Sequence, residues 1–331
     1  MAYGSYDLNT IQLGREVTAG TGVAATAIWR GAFSHLQDTS ERTTVEEQIG
    51  LLVSGERTYQ AAVGGQLTAP STPLTFEQIL HLYEAGIETV SPTGAGPYVY
   101  SYAYPTSTTL NTIKTYTLES GNVVVPTDAL EMPYSFVESM TFSGSAGEAW
   151  TMEGTWRGHQ PVSTTLTPAL SVAVVEECLV PRTKLYIDAT GGTIGSTQKT
   201  GVFMGGQIQI DTGIRPVPVG DGNLSFAAHK FVKPTITFTV TIELEETGGV
   251  SLVDTERQIM TAGTVRLFRI QVVGSGTSDL VWDFAGVYDS FSDYENADGN
   301  TTVTLSGHAV YSSTDALFFE SVVTNSEASV P

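Results

Sequence analysis

Positions 235–245 read Thr-Ile-Thr-Phe-Thr-Val-Thr-Ile-Glu-Leu-Glu. Ile236, Phe238, Val240, Ile242 and Leu244 alternate with Thr235, Thr237, Thr239, Thr241, Glu243 and Glu245. A period of two places the first set on one face of a strand and the second set on the other. One apolar and one wet face point to an antiparallel sheet, because parallel strands are covered on both faces. Two further stretches obey the same rule. Trp150, Met152 and Trp156 alternate with Thr151, Glu153, Thr155 and Arg157, while Val303, Leu305, Ala309 and Tyr311 share a face. The expected fold class is therefore mostly β.

Composition narrows the function classes. The 331 residues carry 15 Lys+Arg against 35 Asp+Glu, a formal net charge of −20. Hydrophobic residues make up 41%, enough for a packed core rather than a disordered acidic tail. Gripping nucleic acid needs clustered Lys and Arg to neutralise phosphates, which this balance argues against. A single cysteine, Cys178, leaves no disulfide framework and no multi-cysteine metal site. No apolar run reaches the ~18 residues of a membrane span. Positions 1–20 lack a basic segment followed by an apolar run, so no export signal is expected and a soluble protein made in a cytoplasm is.

The length suggests two domains, and the order of features repeats. Strands are expected at 29–36 and 57–67, then a helix carrying Phe76, Ile79, Leu80 and Tyr83, with Ser71-Thr72-Pro73 as its start and Gly86 as its stop. Strands at 114–119 and 150–157 complete the unit. The second half offers strands at 204–211 and 235–245, a helix from Asp254 to Met260, and strands at 265–273 and 302–311, the last after an Asp298-Gly299-Asn300 turn. The boundaries that follow are a first β domain at 1–163, a linker at 164–181 and a second β domain at 182–331.

A search for chemistry finds little. His35, His81, His159, His229 and His308 show no metal-ligand spacing. The Gly20-Thr21-Gly22 stretch lacks the strand–helix context of a dinucleotide site. Asp293, Glu295 and Asp298 miss the calcium-loop pattern. Glu46-Glu47 and Glu176-Glu177 are adjacent, so in a strand they face opposite sides and do not form an acid/base pair. No catalytic residue, metal or cofactor is expected.

The run Phe-Ser-Gly-Ser-Ala-Gly-Glu-Ala-Trp at 142–150, leading into Glu-Gly-Thr-Trp-Arg-Gly at 153–158, resembles the closing hairpin of tail tube proteins from long-tailed (siphovirus-type) bacteriophages. Lys-Leu-Tyr-Ile-Asp-Ala-Thr-Gly-Gly-Thr at 184–193 resembles the segment that opens the second half of those proteins. Arg30 to Ser34 and Val45 to Gly50 fit as well. The resemblance implies two tandem antiparallel β-sandwich or barrel domains, each with a short flanking helix. It implies a virion protein with no catalytic residues, whose rings stack around a DNA channel. Other implied partners are a tape-measure protein inside the tube and terminator and tip or baseplate proteins at its ends. Single-domain members form hexameric rings, so a two-domain chain implies a pseudo-hexameric homotrimer. DNA passes without specific binding, and no membrane is involved.

On that footing an acidic channel wall is expected from Gln207, Gln209, Asp211, Thr239, Thr241, Glu243, Glu245 and Glu153. Ring stacking is expected from two long connections. One, at 38–50, carries Asp38, Glu41, Arg42, Glu46 and Glu47; the other, at 212–234, carries Arg215, His229, Lys230 and Lys233. A second reading has a carbohydrate-binding or adhesive twin β-domain module, with Tyr98, Tyr100, Tyr102 and Tyr104 stacking on sugars.

Overall fold

The computed structural model describes residues 4–52, 55–247, 250–297 and 299–330. Asp298, of the expected turn, lies outside the described residues. The fold is mostly β. In chain order the main elements are β1 (Asn9–Arg15), β2 (Glu41–Glu47), β3 (Gly55–Ala62), β4 (Gly65–Pro73), α1 (Ile79–Gly86), β5 (Tyr98–Ala103), β6 (Tyr116–Asn122), β7 (Val125–Ser145), β8 (Thr151–Gly158) and β9 (Val162–Thr164). There follow β10 (Thr183–Ala189), β11 (Phe203–Asp211), β12 (Ile214–Val217), β13 (Ala228–Phe231), β14 (Thr235–Glu243), α2 (Leu252–Thr261), β15 (Arg266–Val273), β16 (Asp279–Phe291), β17 (Asn300–Ala309) and β18 (Phe319–Asn325).

Pairing in the first half runs β1–β6–β7–β9 on one side and β4–β8–β7 on the other, because β7 is long enough to serve both ladders. The second half repeats this order as β10–β15–β16–β18 and β11–β14–β17–β16. In each half a hairpin sits at the same point of the order, β2–β3 before β4 and β12–β13 before β14. The helices match too. Glu84 of α1 is buried and bonded by Arg15 Nη2 at 2.9 Å and Tyr116 OH at 3.0 Å. Glu256 of α2 is buried and bonded by Arg266 Nη2 at 2.7 Å and Tyr288 OH at 3.0 Å. Pairing of this kind satisfies a carboxylate that burial would otherwise penalise.

Several local expectations are corrected. Ser71-Thr72-Pro73 ends strand β4 rather than starting the helix, which begins at Ile79. The stretch 29–36 is not a strand. It runs beside β4, where Thr72 Oγ1 donates to Arg30 O at 3.3 Å. Pro70 and Pro73 supply no N–H for a ladder on that edge. The expected strand at 57–67 is two strands, β3 and β4.

The halves share one buried core. Trp282 of β16 lies 5.5 Å from Phe142 and 5.2 Å from Trp150 between ring centres, and its Nε1 donates to Tyr83 OH at 2.6 Å. Strand β5 leaves the first half to pair with β18. The stretch 164–181 is not a free tether. Thr167 N–H donates to Glu119 Oε2 at 2.7 Å, and Cys178 is buried with its N–H on Leu74 O at 2.8 Å.

Where this stretch passes the turn before α1, the Glu176 N–H donates to Glu77 Oε2 at 3.0 Å. Burial, then the nearby Glu327 and Glu176 charges, pushes the Glu77 carboxyl up to about 7 from an ordinary value of 4.5. A raised folded-state value means that the fold favours the protonated acid. Its stabilising contribution is present in full below 4.5 and lost as the pH rises through about 7. The urea midpoint is expected to fall between about pH 5 and about pH 8. Glu77→Gln should show a smaller fall; an unchanged fall in that variant would place the effect elsewhere.

Candidate functional site

The two halves meet edge to edge. Strand β11 pairs with the end of β7 from Gly205↔Ser145 to Asp211↔Ser139. The sheet therefore runs without interruption as β4–β8–β7–β11–β14–β17. The junction needs small residues. A Cβ on Gly205 would collide with the Gly144 carbonyl, and Gly205 sits at φ +156.

Register lines up the polar face in rows. Glu153, Thr141, Gln209, Thr237 and His308 form one row, and Thr151, Ser143, Gln207, Thr239 and Ser306 form the next. Thr155, Ser139, Asp211 and Thr235 make a third, with Thr241 beside Thr304 and Glu243 beside Thr302 at the far end. The opposite face buries Met152, Phe142, Ile208, Phe238, Val240 and Ile242. Seven of the eight expected wall residues thus share one sheet face: Glu153, Gln207, Gln209, Asp211, Thr239, Thr241 and Glu243. Glu245 lies exposed beyond the end of β14.

The charge of this face departs from the acidic wall expected. Hydroxyls and amides dominate, and several charges are paired. Arg215 Nη2 donates to Asp211 Oδ2 at 2.6 Å, and Arg157 Nε donates to Glu138 Oε2 at 2.8 Å. His308 Nδ1 lies 2.9 Å from Asp289. Most of the chain's acid excess sits elsewhere.

The long connections are hairpins, not irregular loops. The β12–β13 hairpin folds down over the junction. The His229 ring lies 6.0 Å from Tyr134 and 5.9 Å from Phe136, and burial lowers its pKa. Phe226 lies 5.0 Å from Tyr134 and 4.7 Å from His159. Arg215 and His229 are thereby engaged within the chain. Lys230 and Lys233 remain exposed. In contrast, β2 and β3 pair only with each other among the described residues, and most of their side chains are exposed on both faces. Glu41, Arg42 and Glu46 are free to solvent, Glu47 pairs with Arg57 at 2.7 Å, and Asp38 accepts from Ser40 N–H at 2.8 Å.

Two sheet edges stand open. From Val287 to Phe291, β16 pairs with β17 on one side and with no strand on the other among the described residues. At the opposite end, 31–38 occupies the place in the first half that β11 holds in the second, yet only Gln37 and Asp38 pair with β4. Sequence patterning gave no hint of these edges, because β16 is buried on both faces for most of its length and shows no alternation.

The remaining titratable groups serve local roles. His81 is fully buried against Tyr116 OH at 3.2 Å, and desolvation pushes it down to about 4. His35 Nδ1 lies 2.9 Å from Ser120 Oγ. The tyrosines offered for sugar stacking are also corrected: Tyr100, Tyr102 and Tyr104 are buried and Tyr98 half-buried. Among the described residues no helix is long and apolar enough to cross a membrane. Comparison with protein-family profiles and with curated proteins returned no match to this chain.

Proposed function

We propose that the chain is a structural subunit of a DNA-conducting tube, a tail tube protein like those of long-tailed bacteriophages, built from two tandem tail-tube-like β domains. The observation that carries this reading is the β7–β11 ladder. It joins two halves of the same strand order through their edges. The corresponding edges, β16 from Val287 onward and the segment 31–38, stand open at the two ends of the chain's own array. Open edges are a liability that pairing with another copy removes. A contact between them repeats the internal junction, and a repeated heterologous contact closes into a ring when its rotation allows. Two halves per chain fill six positions with three chains, since 3 × 2 = 6.

The row-ordered polar face then lines the lumen. Hydroxyl and amide side chains offer no cations to neutralise phosphates, so DNA slides rather than binds. Rings stack into the tube of a virion, with the tape-measure protein inside and the terminator and tip proteins at its ends. The reading is tested by native mass measurement and negative-stain imaging of the purified protein. Three-chain rings and their stacks are expected. A single-chain species at every concentration would reject the reading, and six-chain rings would reject the stoichiometry.

A further inference from the structure

The internal junction also shows what happens at the corner beside each hairpin. In the first half, the base of β2–β3 (Ala62, Gly64) and the end of β8 (Gly158) form a corner that the following half's hairpin borders through exposed Pro218 and Leu224 and buried Phe226. The Val63 N–H donates to Leu224 O at 3.2 Å across it. In the second half the matching corner is formed by Val232 and Pro234 at the base of β12–β13 and by Val310 and Tyr311 after β17, and the first half's own Ile87, Tyr104 and Leu110 make its other wall. Among the described residues no second hairpin lines it. It is a largely apolar cleft of about 530 Å³.

The chain also carries a hairpin whose two strands pair with no other strand among the described residues. An isolated two-stranded hairpin is marginal in water. Here β2–β3 exposes Tyr59 on a strand, and Ile49, Leu51 and Leu52 at its tip. Cross-strand pairing of Thr43 with Tyr59 and of Val45 with Arg57 puts Tyr59 and Val45 on one face. Four carboxylates, Glu41, Glu46, Glu47 and Glu56, stand against two arginines on the hairpin, while Lys233 lines the cleft and is exposed.

We propose that the β2–β3 hairpin of one copy docks in the Val232–Tyr311 cleft of a second copy. It would bury Tyr59 and the apolar tip as β12–β13 buries Phe226 within the chain. The inference rests on the ring reading and adds the element that latches each ring junction. The charge balance favours this partner, an acidic hairpin meeting Lys233 at the cleft.

Two variants test it in the full chain. The first replaces Tyr59, Leu51 and Leu52 by glutamate; all three are exposed, so the fold of the single chain should persist. Its multi-chain species should be lost at concentrations where the unaltered protein forms rings. The second, Tyr59→Cys with Tyr311→Cys, places thiols on two exposed residues while Cys178 stays buried. A short bis-thiol cross-linker should join chains into a closed three-chain product, and each single variant should give none. Rings of the glutamate variant that match the unaltered protein, with no cross-linked product from the cysteine pair, would overturn the docking and leave the ring reading standing. An unaltered protein that stays single-chain would overturn both.

Discussion

Replacing Trp282 by alanine is expected to cost about 3–5 kcal/mol of stability, the usual range for removing a buried tryptophan. Trp282 is fully buried between Phe142 and Trp150 of the first half. Its removal opens a cavity at the point where the two halves share a core. The loss also takes the Nε1 donor from Tyr83 OH, which keeps Ser321 Oγ at 3.1 Å. Trp282→Phe should cost less, because it keeps most of the apolar volume and loses only the hydrogen bond and part of the contact. Urea unfolding of both variants decides the matter. Equal midpoints for alanine and the parent protein would show that the β7–β11 and β5–β18 ladders, not this aromatic cluster, hold the halves together.

The second large effect concerns charge on the polar face. Gln207→Lys with Gln209→Lys adds two cations per chain, and six per three-chain ring. Neighbouring side chains in register are Ser143, Thr141, Thr239 and Thr237, none of which would neutralise them. If all six meet phosphates, the salt dependence of DNA binding follows a slope of about −5, and affinity falls by about 10³-fold between about 50 and 200 mM salt. Rings of the parent protein should retain no DNA at either salt concentration. A labelled duplex incubated with assembled rings provides the readout. Variant rings that bind no more DNA than the parent at low salt would put this face outside the lumen.

How much of this was legible in the sequence depends on what each strand faces. Strand β14 has one wet face, so its alternation gave the element to within two residues and put Thr239, Thr241 and Glu243 on the polar side. Gln207 and Gln209 followed from the same rule on β11. The rule fails where both faces are covered. The Leu280–Ala285 part of β16 is buried without a break, so no period marks it, and the strand that organises the second half went unread. It also fails in β7, where Tyr134 sits at φ +56, held by its N–H on Glu16 Oε1 at 2.8 Å. A break of that kind divides one strand between two ladders and scrambles any simple alternation. The hairpins in 38–62 and 212–234 were hidden for the opposite reason. Their strands expose both faces or pack edge-on, so no apolar stripe distinguishes them from loop. Helix α1 was found, but Pro73 was read as its first turn when it belongs to an edge where a missing N–H costs no ladder bond.

The β5–β18 ladder has a consequence for how the chain is made. Tyr98–Ala103 pairs with Phe319–Asn325, more than two hundred positions later in the sequence. During synthesis at roughly 5–20 residues per second, β5 waits on the order of ten seconds or more for its partner to leave the ribosome. Through that interval Tyr100 and Tyr102 lack their native cover. The first half therefore reaches its final form only when β18 has been translated. A nascent chain has no finished end to offer a neighbour, so assembly into the proposed rings would be deferred until the polypeptide is nearly whole.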